Sequence, residues 1–154
     1  MALAVFEQLI TSFIATAAFG ILFNAPKKML IKCGLVGMAG WILYFLIERN
    51  TSNAIGATLA ASFAVGVVSH MLAKSYRTPV IVFSVSGIIP LVPGGISYDA
   101  MRHFVEIDYS TALSLAGRAS LLSGAIAMGL VFSEALNLIH RRIRTPRKPM
   151  RYFR

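Results

Sequence analysis

The chain has 154 residues, of which 56% are hydrophobic and 14% are charged, and its mean hydropathy is +0.70. Soluble domains carry roughly 25% charged residues, so this composition excludes an ordinary soluble domain and predicts an all-α, polytopic membrane helix bundle. The net charge is +9, but seven of the fifteen Lys and Arg residues fall in the segment 141–154. A basic tail after a span is typical of an anchor on the anionic lipid bilayer, so we expect no nucleic-acid partner.

The chain shows no residue pattern typical of an enzyme, a metal site or a cofactor site. Its three histidines, His70, His103 and His140, lie in different segments without metal-ligand spacing. No catalytic set is recognisable in the sequence, so catalysis is not predicted. Cys33 is the single cysteine, and its apolar neighbours predict a small buried residue. We therefore expect no catalysis, no metal and no cofactor.

The first apolar run, Leu9–Ala25, has 17 residues without a formal charge. With its flanks it is long enough to cross the hydrocarbon layer of a bilayer, which is about 30 Å thick. Gln8, Ser12, Thr16 and Asn24 recur at multiples of four residues, so they share one polar face of the predicted helix. Such a face fits a packing seam between helices or a path for a solute, and the sequence leaves both open.

Two further spans are predicted, at Met29–Ile47 and Ala54–Leu72. Both are rich in small residues, which favour close packing of helices in membranes. Trp41 and Tyr44 fall near the far end of the second span, where amphipathic rings favour the membrane interface. His70 lies near the basic end of the third span, where it fits a packed or interfacial imidazole or, as the alternative, a proton relay.

The segment Ser84–Tyr98 interrupts the fourth apolar run. Pro90 and Pro93 each lack a backbone donor, and the glycine pair that follows offers backbone angles that other residues avoid. The helix before the first proline would rise only about 17 Å, so the break falls at membrane depth. In lipid, such a break is tolerated only where protein or a water-filled cavity satisfies the freed backbone groups.

The second half of the broken span is predicted to be a short helix capped by Ser97, ending near Val105, with Asp99 in its first turn. Secondary transporters use such half-helix ends to hold ions and carboxylates. The free amides of this helix therefore predict a carboxylate site, and a purely structural kink is the alternative. The predicted substrate-binding residues are Ser86, Pro90, Pro93, Gly94, Gly95, Ser97 and Tyr98.

The last apolar run, Thr111–Ile139, contains two charged residues, Arg118 and Glu134. Arg118 fits an interfacial position or a pairing with Asp99, Asp108 or an anionic solute. An unpaired carboxylate within lipid costs several kcal/mol, so Glu134 is expected to be protonated, paired or facing water. Glu134, Arg118 and Asp99 are therefore the candidates for ion pairing or for coupling transport to protons.

The basic residues alternate between the two sides of the predicted bundle. The turns after the first and third spans carry three and two Lys or Arg and the tail carries seven, whereas the opposite side has only Arg49, Arg102 and Arg118. The positive-inside rule then predicts five spans in the plasma membrane, with the N-terminus outside and the C-terminus in the cytoplasm. We expect a transmembrane domain at 1–140 and a basic cytoplasmic tail at 141–154.

Two motifs carry a resemblance to a known family. The segment Phe23–Gly40 contains FNAPKK followed by a cysteine and glycines, and the segment Gly87–Met101 contains GIIPLVPGG followed by SYDAM. Together they resemble the small subunit of the threonine/serine exporter family. The resemblance covers residues 1–140 and leaves out the tail, and Arg118 is not a hallmark of the family. Its most distinctive points are Asn24, Pro26, Pro90, Pro93 and Gly94.

The resemblance implies that this chain is half of a secondary transporter. In that family an all-helical membrane part works with a larger exporter subunit, fused to it or separate, and members export threonine and serine or, in some two-component members, dicarboxylates such as succinate. We therefore expect a small carboxylate solute, a larger partner subunit and, in addition, self-association into a homo-oligomer. The alternative is a membrane assembly subunit that does not itself transport.

Overall fold

The computed structural model describes residues 2–144, with side chains for residues 5–141. No strand occurs among these described residues, so the predicted all-α class is confirmed. Residues 145–154 of the predicted basic tail lie outside the described residues. The helices are α1 (Ala2–Leu22), α2 (Leu30–Thr51), α3 (Ala54–Tyr76), α4 (Val80–Ile88), α5 (Gly94–Val105) and α6 (Tyr109–Arg144), with short 3-10 turns at Lys27–Met29 and Ile89–Leu91.

Four helices, α1, α2, α3 and α6, are long and apolar enough to span a membrane, and α4 with α5 forms a fifth candidate span bent by 53°. This confirms the prediction of about five spans with the fourth one broken. The helices extend beyond the predicted apolar runs, since α1 begins at Ala2 rather than Leu9 and α6 exceeds Thr111–Ile139 at both ends. Hydropathy marks only the apolar part of a helix, whereas backbone hydrogen bonding continues until the helix is terminated.

The helices pack side by side in the order α1, α2, α3, α6 and α5, and α4 lies against both α2 and α3. Small residues set the close spacing between them. A Cβ atom on Gly37 of α2 would overlap Thr16 of α1, and one on Gly129 of α6 would lie 2.8 Å from the carbonyl oxygen of Leu59 in α3. Small residues let neighbouring helices approach closely. In a membrane the hydrophobic effect does not drive helices together, so this close packing supplies much of the stabilising energy.

The buried core anchors the break in the fourth span to its neighbours. Cys33 is fully buried, as expected, and its thiol lies 3.5 Å from the carbonyl oxygen of Val82 in α4. Leu91, in the 3-10 turn after α4, lies in the largest cluster, so the break is held against α2, α3 and α6. That cluster consists of Val36, Ala61, Val65, Leu91 and Ile126.

Helices α3 and α6 run in the same direction. Ser62 of α3 donates to the carbonyl oxygen of Ala125 in α6 across 3.5 Å, and further along both helices His70 Nε2 lies 2.8 Å from Glu134 Oε2. The residue numbers rise together along the two helices, so the chain between them has to return from the end of α3 to the start of α6. The α4 and α5 pair makes this return.

Candidate functional site

The break between α4 and α5 is built by its two prolines. Pro90 lies in a 3-10 turn, and Val92 is extended at φ −65° and ψ 127°, as expected for a residue whose helical conformation is disfavoured by the following proline. Pro93, at φ −77° and ψ 52°, centres an inverse γ-turn in which the Gly94 N–H donates to the Val92 carbonyl across 2.8 Å. Helix α5 begins immediately after this turn.

The glycine pair after Pro93 does not adopt the special backbone angles that the sequence suggested. Gly94 and Gly95 form the first turn of α5, and no glycine in the described chain has a positive φ. A Cβ atom on either one would meet nothing within 4 Å. The expectation about backbone angles is therefore wrong, and both glycines leave open space beside their Cα atoms at the start of α5.

Two further expectations about α5 are corrected because the helix begins four residues earlier than predicted, with Pro93 rather than Ser97 at the cap position. Ser97 does not cap the helix, since its hydroxyl donates back to the Pro93 carbonyl across 2.9 Å. Asp99 consequently lies beyond the first turn, and α5 starts without a side-chain cap. The Ser97 N–H is the first to find a helical acceptor, at Pro93, which leaves Gly95 and Ile96 without an intrahelical one.

The other predicted substrate-binding residues lie in different surroundings. Ser86 is buried in α4 and its hydroxyl donates to the Val82 carbonyl across 2.6 Å. Pro90 is half-buried in the 3-10 turn. Tyr98 is 69% exposed and lies on the same face of α5 as Gly94 and Gly95, because it follows them by four and three residues.

A cluster of aromatic and polar side chains lies beside the break, and we call it the aromatic–polar cluster. The Trp41 indole N–H donates to the Gln8 amide oxygen across 3.4 Å, and the Trp41 and Tyr44 rings are 5.3 Å apart. Both rings pack against the core cluster that contains Leu91. The cluster consists of Gln8, Trp41, Tyr44, Glu48 and Arg118.

Arg118 is exposed and lies within electrostatic range of Tyr44, whose hydroxyl hydrogen-bonds Glu48. Among the described residues it forms no ion pair with Asp99 or Asp108, the two carboxylates that the sequence offered as partners. Asp108 instead lies 3.5 Å from His103 and accepts the Thr111 amide across 3.3 Å. Arg118 thus contributes a positive charge within electrostatic range of Tyr44, and a guanidinium is suited to binding an anionic group.

The predicted polar face of α1 lies in contact with α2. Ser12 and Thr16 are buried, and their hydroxyls donate to carbonyls within α1 at 3.0 and 2.7 Å. Asn24 is not part of this face, because α1 ends at Leu22 and Asn24 adopts the left-handed conformation at φ 56°. The Ala25 N–H donates to the Gly20 carbonyl across 2.9 Å, a helix-ending bond that favours asparagine before it.

A second polar cluster joins α3 and α6 near their basic ends, and the sequence did not reveal it. His70 Nε2 lies 2.8 Å from Glu134 Oε2, and the Asn137 amide nitrogen lies 3.2 Å from His70 Nδ1. This geometry fits the tautomer in which Nε2 carries the proton and donates to Glu134. The only sequence signal was that Glu134 and Asn137 lie three residues apart on one face of α6.

Neither cluster has the composition of a metal site. No group of three or more His, Cys, Asp and Glu side chains with metal-binding geometry occurs in the part of the chain that the structure describes. The donors that are present are amide N–H groups, aromatic N–H and O–H groups and one guanidinium, and the carboxylates of Glu48 and Glu134 are acceptors. These groups bind polar and anionic organic molecules by hydrogen bonding.

The fold is that of a helical membrane protein with one broken span, and discontinuous helices of this kind occur in secondary transporters. The family described as threonine/serine exporter, ThrE, matches residues 8–136. The chain therefore belongs to the threonine/serine exporter family, as its two motifs predicted. No solved structure matches the chain.

Proposed function

We propose that this chain is the small membrane subunit of an exporter for small carboxylate-bearing metabolites, either threonine and serine or dicarboxylates such as succinate. The observation that carries the proposal is the start of α5 at Gly94 and Gly95, which has no side-chain cap and has open space beside both glycines. Family membership supports amino-acid export, and the proposal extends it to the plasma membrane, with the N-terminus outside and the C-terminus in the cytoplasm.

The amide end of α5 is suited to an anionic group. A helix N-terminus carries a partial positive charge of about half an elementary charge, and its first amides are donors without intrahelical acceptors. In an environment of low dielectric constant this charge acts strongly on a carboxylate. Arg118 adds a full positive charge to the aromatic–polar cluster beside the break.

Filling the open space at the amide end is the direct test. Gly95→Leu is expected to reduce efflux of the transported solute about tenfold or more, because a side chain would displace hydrogen bonds to a charged group worth roughly 1.5–3 kcal/mol. Gly117→Leu is the matched control, since a Cβ atom on Gly117 in α6 also meets nothing within 4 Å. Threonine and succinate efflux are measured together with the amount of protein in the membrane.

The partner in this proposal is a larger exporter subunit, and self-association into a homo-oligomer is proposed in addition. The proposal places the partner against the exposed apolar surface of α5, where Met101, Phe104 and Val105 are 65%, 56% and 73% exposed. Efflux is expected only when both subunits are expressed, and the larger subunit should be retained when this chain is purified. Full export by this chain alone would refute the two-subunit proposal.

The alternative proposal is an assembly subunit in which the break is only a kink. The buried packing of Thr16 against Gly37 favours it, because a face that could have served a solute is filled by a neighbouring helix. Pro93→Ala separates the two proposals. Lost efflux with normal copurification of the larger subunit supports a solute path, whereas lost copurification supports the assembly role.

A further inference from the structure

A groove between α3 and α6 lies at their basic ends and is separate from the break. Its volume is about 340 Å³, and we call it the basic-end groove. Val67, Met71 and Leu136 form an apolar wall, of which Met71 and Leu136 are 68% and 52% exposed. The groove is therefore open toward the outer surface of the bundle. Its polar residues include Lys74, Asn137 and His140.

Lys74 gives the groove a positive charge at the basic ends of α3 and α6. His70 Nδ1 lies 3.2 Å from the Asn137 amide nitrogen, and His70 Nε2 lies 2.8 Å from Glu134 Oε2. Lys74 and His140 are exposed, and within the described chain neither forms an ion pair. A long lysine side chain can lie along an apolar wall with its ammonium group at the polar end. The groove thus offers an apolar wall, a cationic end and a neighbouring amide.

This combination matches one class of ligand. A free carboxylate solute would leave the exposed apolar wall uncovered, and an apolar partner helix would leave the Lys74 ammonium group without a counter-charge. A phospholipid has both parts, and basic pockets between membrane helices at the cytoplasmic side are suited to anionic headgroups. We propose that the basic-end groove binds an anionic phospholipid, with its phosphate at Lys74 and His140 and an acyl chain along Met71 and Leu136.

Lipid binding to the full-length chain tests this inference by native mass spectrometry, with phosphatidylglycerol and phosphatidylcholine of equal acyl length as probes. Lys74→Gln is expected to weaken phosphatidylglycerol binding about fivefold, the effect of one basic residue near an anionic headgroup. Lys28→Gln is the matched control, because Lys28 is an exposed lysine of another basic turn and does not line the groove. It is expected to leave binding within about twofold of the unmodified chain.

The apolar wall is tested independently of charge. Leu136→Trp places a larger side chain in the groove and is expected to lower phosphatidylglycerol binding severalfold. Leu138→Trp is its control, because Leu138 is similarly exposed, at 50% against 52% for Leu136, and does not line the groove. The proposal is supported if Lys74→Gln and Leu136→Trp weaken phosphatidylglycerol binding while Lys28→Gln and Leu138→Trp do not.

Three results overturn the proposal. The first is equal weakening by Lys74→Gln and Lys28→Gln, which would indicate diffuse surface charge. The second is equally tight binding of phosphatidylcholine, and the third is displacement of the lipid by millimolar inorganic phosphate or succinate, which would indicate a site for a free anion. None of these readouts depends on export, so the lipid proposal can fail while the exporter proposal stands.

Discussion

At the scale of single residues, Gly129 shows how tightly α3 and α6 are packed. Gly129→Ala is expected to destabilise the protein by about 2 kcal/mol, because its Cβ atom would lie 2.8 Å from the Leu59 carbonyl oxygen and 2.9 Å from the Phe63 nitrogen, and backbone cannot move aside cheaply. Gly124→Ala, on the same helix, meets nothing within 4 Å and should be neutral or stabilising. Thermal unfolding in detergent compares the two, and equal midpoints would contradict the packing argument.

Glu134 joins α6 to α3, because its carboxylate lies 2.8 Å from His70 Nε2. Glu134→Ala is expected to lower the melting temperature in detergent, because it leaves the His70 side chain, which is only 11% exposed, without this hydrogen-bond partner. Glu134→Gln is expected to have a smaller effect, because its amide oxygen still accepts from His70. Glu106→Ala is the control, because the Glu106 side chain is 52% exposed against 54% for Glu134 and its ion pair lies within one helix. Equal melting temperatures for Glu134→Ala and Glu106→Ala would contradict the role of Glu134 between the helices.

At the scale of elements, the start of α6 depends on the charge of Asp108. Hydrogen bonds from Thr111 hold the pKa of the Asp108 carboxyl below its ordinary value. A carboxyl whose pKa is lower in the folded state stabilises the fold above its unfolded pKa, and this contribution is lost as the pH falls through the folded value. Asp108→Ala is therefore expected to lower the melting temperature near neutral pH, with the difference shrinking below about pH 4.

Asp99→Ala is the control for this cap, because Asp99 is exposed within α5 and does not begin a helix. Melting temperatures of both variants and of the unmodified chain are compared across the acidic range. A difference for Asp108→Ala that stays constant with pH would show that the charge of the carboxylate is not what stabilises the start of α6.

The sequence predicted those elements that depend on local properties. Long apolar runs predicted the spans. Pro90 and Pro93 predicted the break, because a proline inside a helix disrupts it independently of tertiary contacts. The pairing of His70 with Glu134 joins residues far apart in sequence, so no local spacing could reveal it. Asn24 was placed on a helix face by periodicity, but periodicity does not show where a helix ends, and the left-handed residue at its terminus belongs to the cap.

At the scale of the whole molecule, the parallel course of α3 and α6 agrees with an odd number of crossings. The predicted topology is tested by labelling single cysteines with a membrane-impermeant maleimide after Cys33, the single native cysteine, is replaced by alanine. Asn50→Cys is expected to be labelled in intact cells and Lys28→Cys only after permeabilisation, and both positions are exposed. Labelling of Lys28→Cys in intact cells would reverse the topology.

The uncapped start of α5 also has a consequence for cations. A continuous helix has its positive end at the membrane surface, where water and salt screen it, but the break moves the positive end of α5 to the interior of the fourth span. Half-helix ends of this polarity form electrostatic barriers to cations in membrane pores. In the proposed exporter, the positive end that would hold a carboxylate at Gly94 and Gly95 would also oppose leakage of sodium, potassium and hydronium ions, which would otherwise dissipate the gradients across the membrane.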